Sequence, residues 1–487
     1  MTRRLSYLAD AAGFPPPDRD VEVTSVTDDS RLVERGTLFV AHRGVHDDGH
    51  DFIEDAVSRG ALAVVAERPV SVGVPLWIVS DGRAALATWA GAFYGYPTRH
   101  LLTIGVTGTN GKTSVCHFIA HLLGSEDTAV LSTVANFARG LRALTTPPSP
   151  IVQRFAREAL DAGCRALVVE ASSIGLEQRR LDGIDFQVAV FTNLTRDHLD
   201  LHGTMAAYGE AKALLFRALA PSGCGVLNAD DAFSETLRAA CPSRALTYGL
   251  QANADLAGEL RAEDRYGITL RLRWRDECAD VVLPLHGRHG ASNALAACGA
   301  ALAAGRPFAA LADRLETLPA VPGRWQTLAR NDGIDAVVDF AHTPDGLDQV
   351  LASLRRLYPT LSVVFGCAGG SDRGKRAKMG EIAGRHADLV VLTTDNPKQE
   401  DPADIVDEIA AGVAQAQAHS LLRILDRTEA IGAAIARTPP GGAVLLAGKG
   451  HETYQIVRGA FVPHSDIAAL EALGFRPLAA PSPRRTP

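Results

Sequence analysis

Residues 103–114 read TIGVTGTNGKTS: an apolar run, a glycine-rich turn, then Gly111, Lys112 and Thr113 in succession. Nothing else in the chain constrains the fold as tightly, because such a turn works only between a buried strand and the start of a helix. Leu101 to Val106 has the β-branched, apolar character of that strand, and Ser114 to Leu123 (SVCHFIAHLL) reads as the helix. Gly108, Thr109, Asn110 and Gly111 would let backbone N–H groups converge on phosphate oxygens at the helix N-terminus, where the dipole also favours negative charge. Lys112 would reach the terminal phosphates of a nucleoside triphosphate, and the Thr113 hydroxyl would ligate Mg²⁺. The usual P-loop has its first glycine where this chain has Val106; Gly108 makes this a shortened loop.

At 487 residues the chain is too long for one ordinary domain, and about three are expected. A hydrophobic content of 46% with 22% charged residues is that of a core-forming globular chain. A formal net charge of −7 argues against a nucleic-acid partner, which would want a basic surface. The seven cysteines form no C-x-x-C pair and read as buried thiols of a reducing compartment. The start, MTRRLSYLADAAGFPPP, lacks a signal-peptide core, and no run approaches the ~18 apolar residues of a membrane span. A cytoplasmic protein without a membrane partner is expected.

Along the chain, GTLFVA, ALAVVAE and PLWIVS read as strands of an N-terminal α/β unit over residues 1–100, with a helix in DDGHDFIEDAVSRG. From 101 to 320, LLTIGVTG, TAVLSTV, RALVVEA, FQVAVFTN and GVLNAD alternate with helices, the pattern of a parallel, doubly wound sheet with ligands at the strands' carboxyl ends. PAVPGR at 319–324 is a natural break. A second α/β sheet, Rossmann-like, is expected over 321–480 from DAVVDFAH, LSVVFGCAGG, ADLVVLTTDN and GAVLLAGKG, followed by a disordered tail at 481–487.

Several strand ends carry chemistry. Glu170 closes RALVVEA; an acid there supplies Mg²⁺ with a second oxygen or orients a nucleophile, the competing reading being a solvated carboxylate. AVFTNLTRDHLDLHG at 189–203 offers His198 as a metal ligand or as a merely hydrogen-bonded histidine, and Asn193, Arg196 and Asp197 as phosphate-site residues. The Asn-Lys-x-Asp pattern of guanine-nucleotide proteins is absent from that strand end, which weakens a GTPase reading. VVDFAHTPDGL at 337–347 and GKGHETYQ at 448–455 place His and acidic residues after strands, and GCAGGSDRGKR at 366–376 adds a basic, glycine-rich loop. Together they describe two phosphate- and carboxylate-handling surfaces facing each other across a domain boundary.

The ordered set GTNGKT, TTP (145–147), EASS (170–173), TNLTRDHLD (192–200), YGEAK (208–212), SNALAA (292–297), PGR (322–324), DFAHTPD (339–345), DNPK (395–398) and GKGHE (448–452) resembles the Mur ligase family. Within it the chain is most similar to members that add a diamino acid to UDP-N-acetylmuramoyl-L-alanyl-D-glutamate. The resemblance runs from DSR at 29–31 to FVPHSD at 461–466. It implies a three-domain ligase whose partners are small molecules: the UDP-muramoyl dipeptide, a diamino acid and ATP; a monomer is expected.

By motif match, Gly108 to Thr113, Asn293, Arg324, Asp339 and His342 would hold ATP. Thr113, Glu170, His198 and a CO₂-derived carbamate on Lys212 would serve Mg²⁺. Ser30, Thr145, Thr146, Ser172, Gln178 and Arg180 would hold the UDP substrate, and Arg373, Asn396, Lys398, Gly448 and Glu452 the amino acid. Lys112, Lys212, His198 and Glu170 would carry the catalysis. The resemblance implies an acyl-phosphate route to the amide. Two departures stand out. Ile174 replaces a usual histidine. Diaminopimelate-using members carry Asp-Asn-Pro-Arg where this chain has Lys398, and a gapless match puts Ser371 at the arginine of the preceding loop, for which Arg373 could substitute. Meso-diaminopimelate is favoured over lysine, ornithine or another amine. A Mur-like ligase with a non-cell-wall acceptor and a catalytically silent nucleotide-binding regulator are the alternatives.

Overall fold

The computed structural model describes all residues except 45–46, 142–143, 252, 417–419 and 479–487, so the tail expected to be disordered lies outside the described residues. Three main sheets follow one another along the chain. The first is four-stranded and parallel, with Ser25–Thr27, Thr37–Ala41, Ala63–Ala66 and Leu76–Ile78 paired in chain order. Its inner strands are wholly buried and read as unbroken apolar runs, as parallel strands covered on both faces do. In the segment where the sequence predicts a helix, a 3₁₀ turn, Gly49–Phe52, precedes the helix Ile53–Ser58.

The central sheet has nine strands in the order Glu277–Leu283, Gly267–Trp274, Leu256–Asp264, Arg244–Gly249, Leu219–Asn228, Phe186–Phe191, Leu102–Thr107, Ala166–Glu170 and Thr128–Leu131. From Leu256–Asp264 to Thr128–Leu131 neighbouring strands are parallel, as the strand–helix alternation predicts. The other edge is an antiparallel meander that this alternation does not anticipate. Its middle strand alternates as a half-solvated sheet requires: Ile268, Leu270 and Leu272 are buried while Arg271 and Arg273 are exposed. One apolar cluster gathers Ile104, Val106 and Val190 with the helices Lys112–Leu123 and Gly287–Ala303, and a second covers the opposite face through Leu167, Val169 and Phe191.

The third sheet is seven-stranded, in the order Leu421–Arg423, Leu389–Leu392, Leu361–Phe365, Ala443–Ala447, Asp335–Asp339, Gln326–Ala329 and Arg476–Pro477. The first five are parallel and the last two antiparallel additions. The α/β class with parallel sheets is therefore the architecture observed. No helix among the described residues is long and apolar enough to cross a membrane.

Candidate active site

Strand register builds the site. Val106 lies beside Glu170, and Thr107 beside Phe191, so the glycine-rich loop after Thr107 emerges between the Glu170 strand end and the Thr192–Asp197 loop. Gly108 has φ +148°, and a Cβ there would collide with Thr192 Oγ1. Gly111 caps the helix Lys112–Leu123 at φ +85°, where a Cβ would collide with Asn293 Oδ1. Only glycine fits either position without displacement. Asn110 N donates to Asn193 Oδ1 (2.9 Å), and Thr109 N to the Asn193 carbonyl (2.8 Å), which pins the loop.

Around this loop the catalytic candidates converge. Lys112 Nζ rests on the loop's own carbonyls, Gly108 O at 3.1 Å and Thr109 O at 2.8 Å, and burial lowers its pKa. The Thr113 hydroxyl donates to Glu170 Oε2 at 3.0 Å, which also accepts from Thr133 N (2.8 Å) and Thr133 Oγ1 (3.1 Å). On the helix Met205–Arg217, Lys212 is fully enclosed, 1% exposed. Its Nζ donates to Gly108 O at 2.8 Å and lies 4.0 Å from the Tyr208 ring centre. Burial and then the neighbouring Lys112 push its pKa well below that of a free lysine. His198 takes a left-handed backbone (φ +53°) before the short helix Leu199–His202, 3.4 Å from Asp197, and burial lowers its pKa too.

The third sheet closes over the loop. Arg324 Nη2 donates to Thr113 Oγ1 (3.2 Å) and its guanidinium stacks 4.4 Å from the Phe340 ring. Asp339 accepts from Trp325 N and Ala341 N, both 2.7 Å, and burial raises its pKa. His342 bonds the Phe340 carbonyl through Nδ1 and is driven down to about 4 by burial and the nearby Lys375. Asn110 reaches across to Asp345 Oδ2 (2.9 Å). A cleft of about 860 Å³ is lined by Thr109 to Thr113, Glu170, His198, Asn293, Arg324, Asp339, His342, Asn396, Lys398, Gly448 and Glu452.

At its far end Asn396 Nδ2 donates to Glu452 Oε2 (3.0 Å), and Asn396 Oδ1 accepts from Lys449 Nζ (2.9 Å) and Ile456 N (3.0 Å). Lys449, fully buried, also donates to Glu452 Oε2 at 2.5 Å. Lys398 has φ +54° and arches over Gly370. Arg373 is not among the cleft-lining residues: its exposed guanidinium pairs with Glu408 on the flank of the helices. Ser371 Oγ bonds Ala368 O.

Behind Glu170 lies a polar cluster. Thr146 Oγ1 donates to Glu170 O (2.7 Å) and is 2.9 Å from Ser172 Oγ, while Arg180 donates to Thr146 O and Gln178 Oε1, each 2.6 Å. Thr145 joins it through Thr133. Ser30 stands apart in the turn Ser30–Leu32 of the first sheet, though Asp28 nearby opposes the lowering of the Arg180 pKa by burial. Nothing in these contacts accounts for Ile174. Sequence reading left Thr133, Asp345, Lys449 and the shelf of His286, His289 and Trp325 unassigned. His286 stacks on Trp325 at 5.0 Å, a contact between distant segments that no local pattern signals.

The donor set suits Mg²⁺. The Thr113 hydroxyl and the buried Glu170 carboxylate present hard oxygens side by side. Among the described residues no cluster of three or more His, Cys, Asp or Glu side chains forms a cage. Mg²⁺ ordinarily takes one or two carboxylates together with substrate phosphates.

A P-loop sheet sharing one charged cleft with a second α/β sheet defines a nucleotide-using enzyme. Family models match in succession: "Mur ligase family, catalytic domain" over residues 22–94, "Mur ligase middle domain" over 106–301, and "Mur ligase, glutamate ligase domain" over 323–450. A UDP-N-acetylmuramoyl-L-alanyl-D-glutamate–2,6-diaminopimelate ligase of Geobacillus kaustophilus is 42% identical, covering 93% of this chain and 94% of its own. The same-named protein of Chlorobaculum tepidum is 41% identical over 92% of each. A solved structure of a ligase of that name superposes with a TM-score of 0.68 at 35% identity, covering 97% of this chain and 98% of its own. The chain belongs to the Mur ligase family, and it is an ATP-dependent ligase.

Proposed function

We propose that this protein joins meso-2,6-diaminopimelate to UDP-N-acetylmuramoyl-L-alanyl-D-glutamate at the expense of ATP, a step of peptidoglycan precursor synthesis carried out in the cytoplasm by a monomer of three units, 1–100, 101–320 and 321–480. One observation carries the reading: a single cleft joins the phosphate loop to the Asn396–Lys449–Glu452 corner, so nucleotide and amine can meet. The relatives' names supply the substrates.

A carboxylate is a poor electrophile, so the dipeptide carboxylate first takes the γ-phosphoryl group. The N–H groups of the Gly108–Thr113 loop hold the phosphates, and Lys112 neutralises charge as ADP departs. Thr113, Glu170, His198 and carbamylated Lys212 would hold Mg²⁺, which lowers the electrostatic cost of charge developing on the phosphates. Asn293, Arg324, Asp339 and His342 hold the rest of the nucleotide. Ser30, Thr145, Thr146, Ser172, Gln178 and Arg180 fix the UDP substrate, bringing its carboxylate toward the loop behind which Thr146 and Glu170 are bonded. Asn396, Gly448 and Glu452 seat the amine, which attacks the acyl phosphate through a tetrahedral intermediate and expels phosphate. Holding both reactants in one cleft can be worth roughly 7–11 kcal/mol.

Lys398, where diaminopimelate users carry arginine, favours a second reading in which lysine-like amines are also accepted. Phosphate release tests the ligase reading against a silent binder: it should require ATP, dipeptide and amine together. Release indifferent to the amine or the dipeptide, or none at all, would contradict it.

A further inference from the structure

Lys375 and Arg376 are sequence neighbours at the start of the helix Gly374–His386, and both are buried. Their fates differ. Arg376 bonds Glu400 at 2.9 Å and Glu408 at 3.0 Å, a satisfied structural pair. Among the described residues Lys375 has one ion-pair partner, Asp197 at 4.0 Å, beyond hydrogen-bond length. That carboxylate also has His198 at 3.4 Å and His342 at 3.9 Å, two imidazoles that burial holds toward the neutral form. Lys375 is only 6% exposed and has no side-chain acceptor within hydrogen-bond length among the described residues, so its ammonium has donors to spare for a group that enters the cleft. Lys375 lines the cleft that Lys112 also lines.

A second contact fixes where Lys375 stands. Arg196, next to Asp197, pairs with Asp372 at 3.2 Å, three residues before Lys375. The polarities are reversed: the central loop offers Arg196 and Asp197, the helix start offers Asp372 and Lys375. The start of the helix lies against the Arg196 guanidinium, since a Cβ on Gly374 would be 2.8 Å from Arg196 Nη2. Two adjacent pairs of opposite sense define one register between the central loop and the helix, and they bring an incompletely paired cation to the wall facing the phosphate loop.

We propose that Lys375 is a further catalytic residue, a cation supplied by the third sheet to the transferred phosphoryl group, with Arg196 and Asp372 as its positioning pair. The inference rests on the ligase reading above. In the step concerned, a dipeptide carboxylate oxygen bonds to the γ-phosphorus while the bond from that phosphorus to the β–γ bridging oxygen breaks, its electron pair leaving on ADP. Charge spreads over the three equatorial oxygens. Lys112 meets them from the loop and Lys375 from the opposite wall, so full stabilisation requires the two sheets to be together.

The test uses the full-length enzyme and its variants Lys375→Met, Lys375→Arg and Arg196→Ala. Three quantities are read: kcat for amide formation, KM for ATP, and scrambling of the bridging oxygen in ¹⁸O-labelled ATP with dipeptide but no amine. Lys375→Met should lower kcat and scrambling together by about a hundredfold, with KM for ATP within about threefold, the signature of an interaction made in the transition state. Lys375→Arg should recover at least about a tenth of the wild-type rate. Arg196→Ala should lower kcat about tenfold with the same unchanged KM, and it decides the matter if Lys375→Met fails to fold. Scrambling at the wild-type rate in Lys375→Met, a loss confined to KM, or an Arg196→Ala enzyme with unchanged kcat would overturn the proposal. A wild-type enzyme that makes no amide would overturn the ligase reading itself, whereas amide formation at full rate by Lys375→Met would overturn only the role of Lys375.

Discussion

Lys212 shows how much of the site depends on what burial does to one side chain. Enclosed beneath the phosphate loop and beside Lys112, its ammonium is disfavoured, and a neutral amine is what reacts with CO₂. A carbamate there would turn a cation into an oxygen ligand, which Mg²⁺ accepts and an ammonium cannot replace. Lys212→Ala should therefore be nearly inactive and partly rescued by a small carboxylic acid; activity without rescue near the wild-type level would contradict the carbamate. At the other end of the cleft, Lys398 offers a point charge where a guanidinium would give a two-point clamp. Lys398→Arg should raise the ratio of kcat/KM for meso-diaminopimelate over lysine by about tenfold to a hundredfold, from a bidentate charged contact worth about 1.5–3 kcal/mol. An unchanged ratio would show that another group holds the distal carboxylate. Arg373 does not do so in the geometry seen, since it faces Glu408 outside the cleft.

The strands that carry the site were legible because parallel strands buried on both faces leave long apolar runs ending in glycine and polar residues. Glu170, Asp339 and Gly448 all sit at such ends. The antiparallel meander at 256–283 was not, because its half-exposed strands mix arginine and glutamate with apolar residues. Long-range pairs were equally invisible. Arg427, at the start of the helix Arg427–Arg437, donates to both oxygens of Asp466 at 2.8 Å and to the Ala447 carbonyl at 3.0 Å, just before the Gly448–Glu452 loop. Both side chains are fully buried. Burial alone would raise the Asp466 pKa, but Arg427 and His464 hold it far below the usual carboxylate range. Asp466→Ala leaves an unpaired buried guanidinium and should destabilise the protein by about 3–5 kcal/mol in urea unfolding. A loss below about 1 kcal/mol would mean that the pair does not anchor this corner.

At the scale of the whole molecule, the contacts between the central and third sheets are held partly by neutral histidines. His286 and His289 pack against Trp325, and burial lowers both to about 4. An unfolded chain titrates its histidines near about 6.5. Between about pH 6.5 and 4 the unfolded state binds more protons, so stability is full above that window and declines as pH falls through it. The melting temperature should be level above about pH 7 and drop steadily toward about pH 4.5; a level profile over that whole range would contradict the buried, neutral assignment. The cleft between these sheets is where nucleotide, dipeptide and amine would meet, and the most direct test is chemical. Purified protein is incubated with ATP, Mg²⁺ and UDP-N-acetylmuramoyl-L-alanyl-D-glutamate against a panel of amino acids, and the products are weighed. The expected result is a new species heavier by one diaminopimelate less one water, formed fastest from meso-diaminopimelate and stoichiometric with ADP. ATP consumed without a heavier muramoyl product, or a product from an amine unrelated to diaminopimelate and lysine, would contradict it.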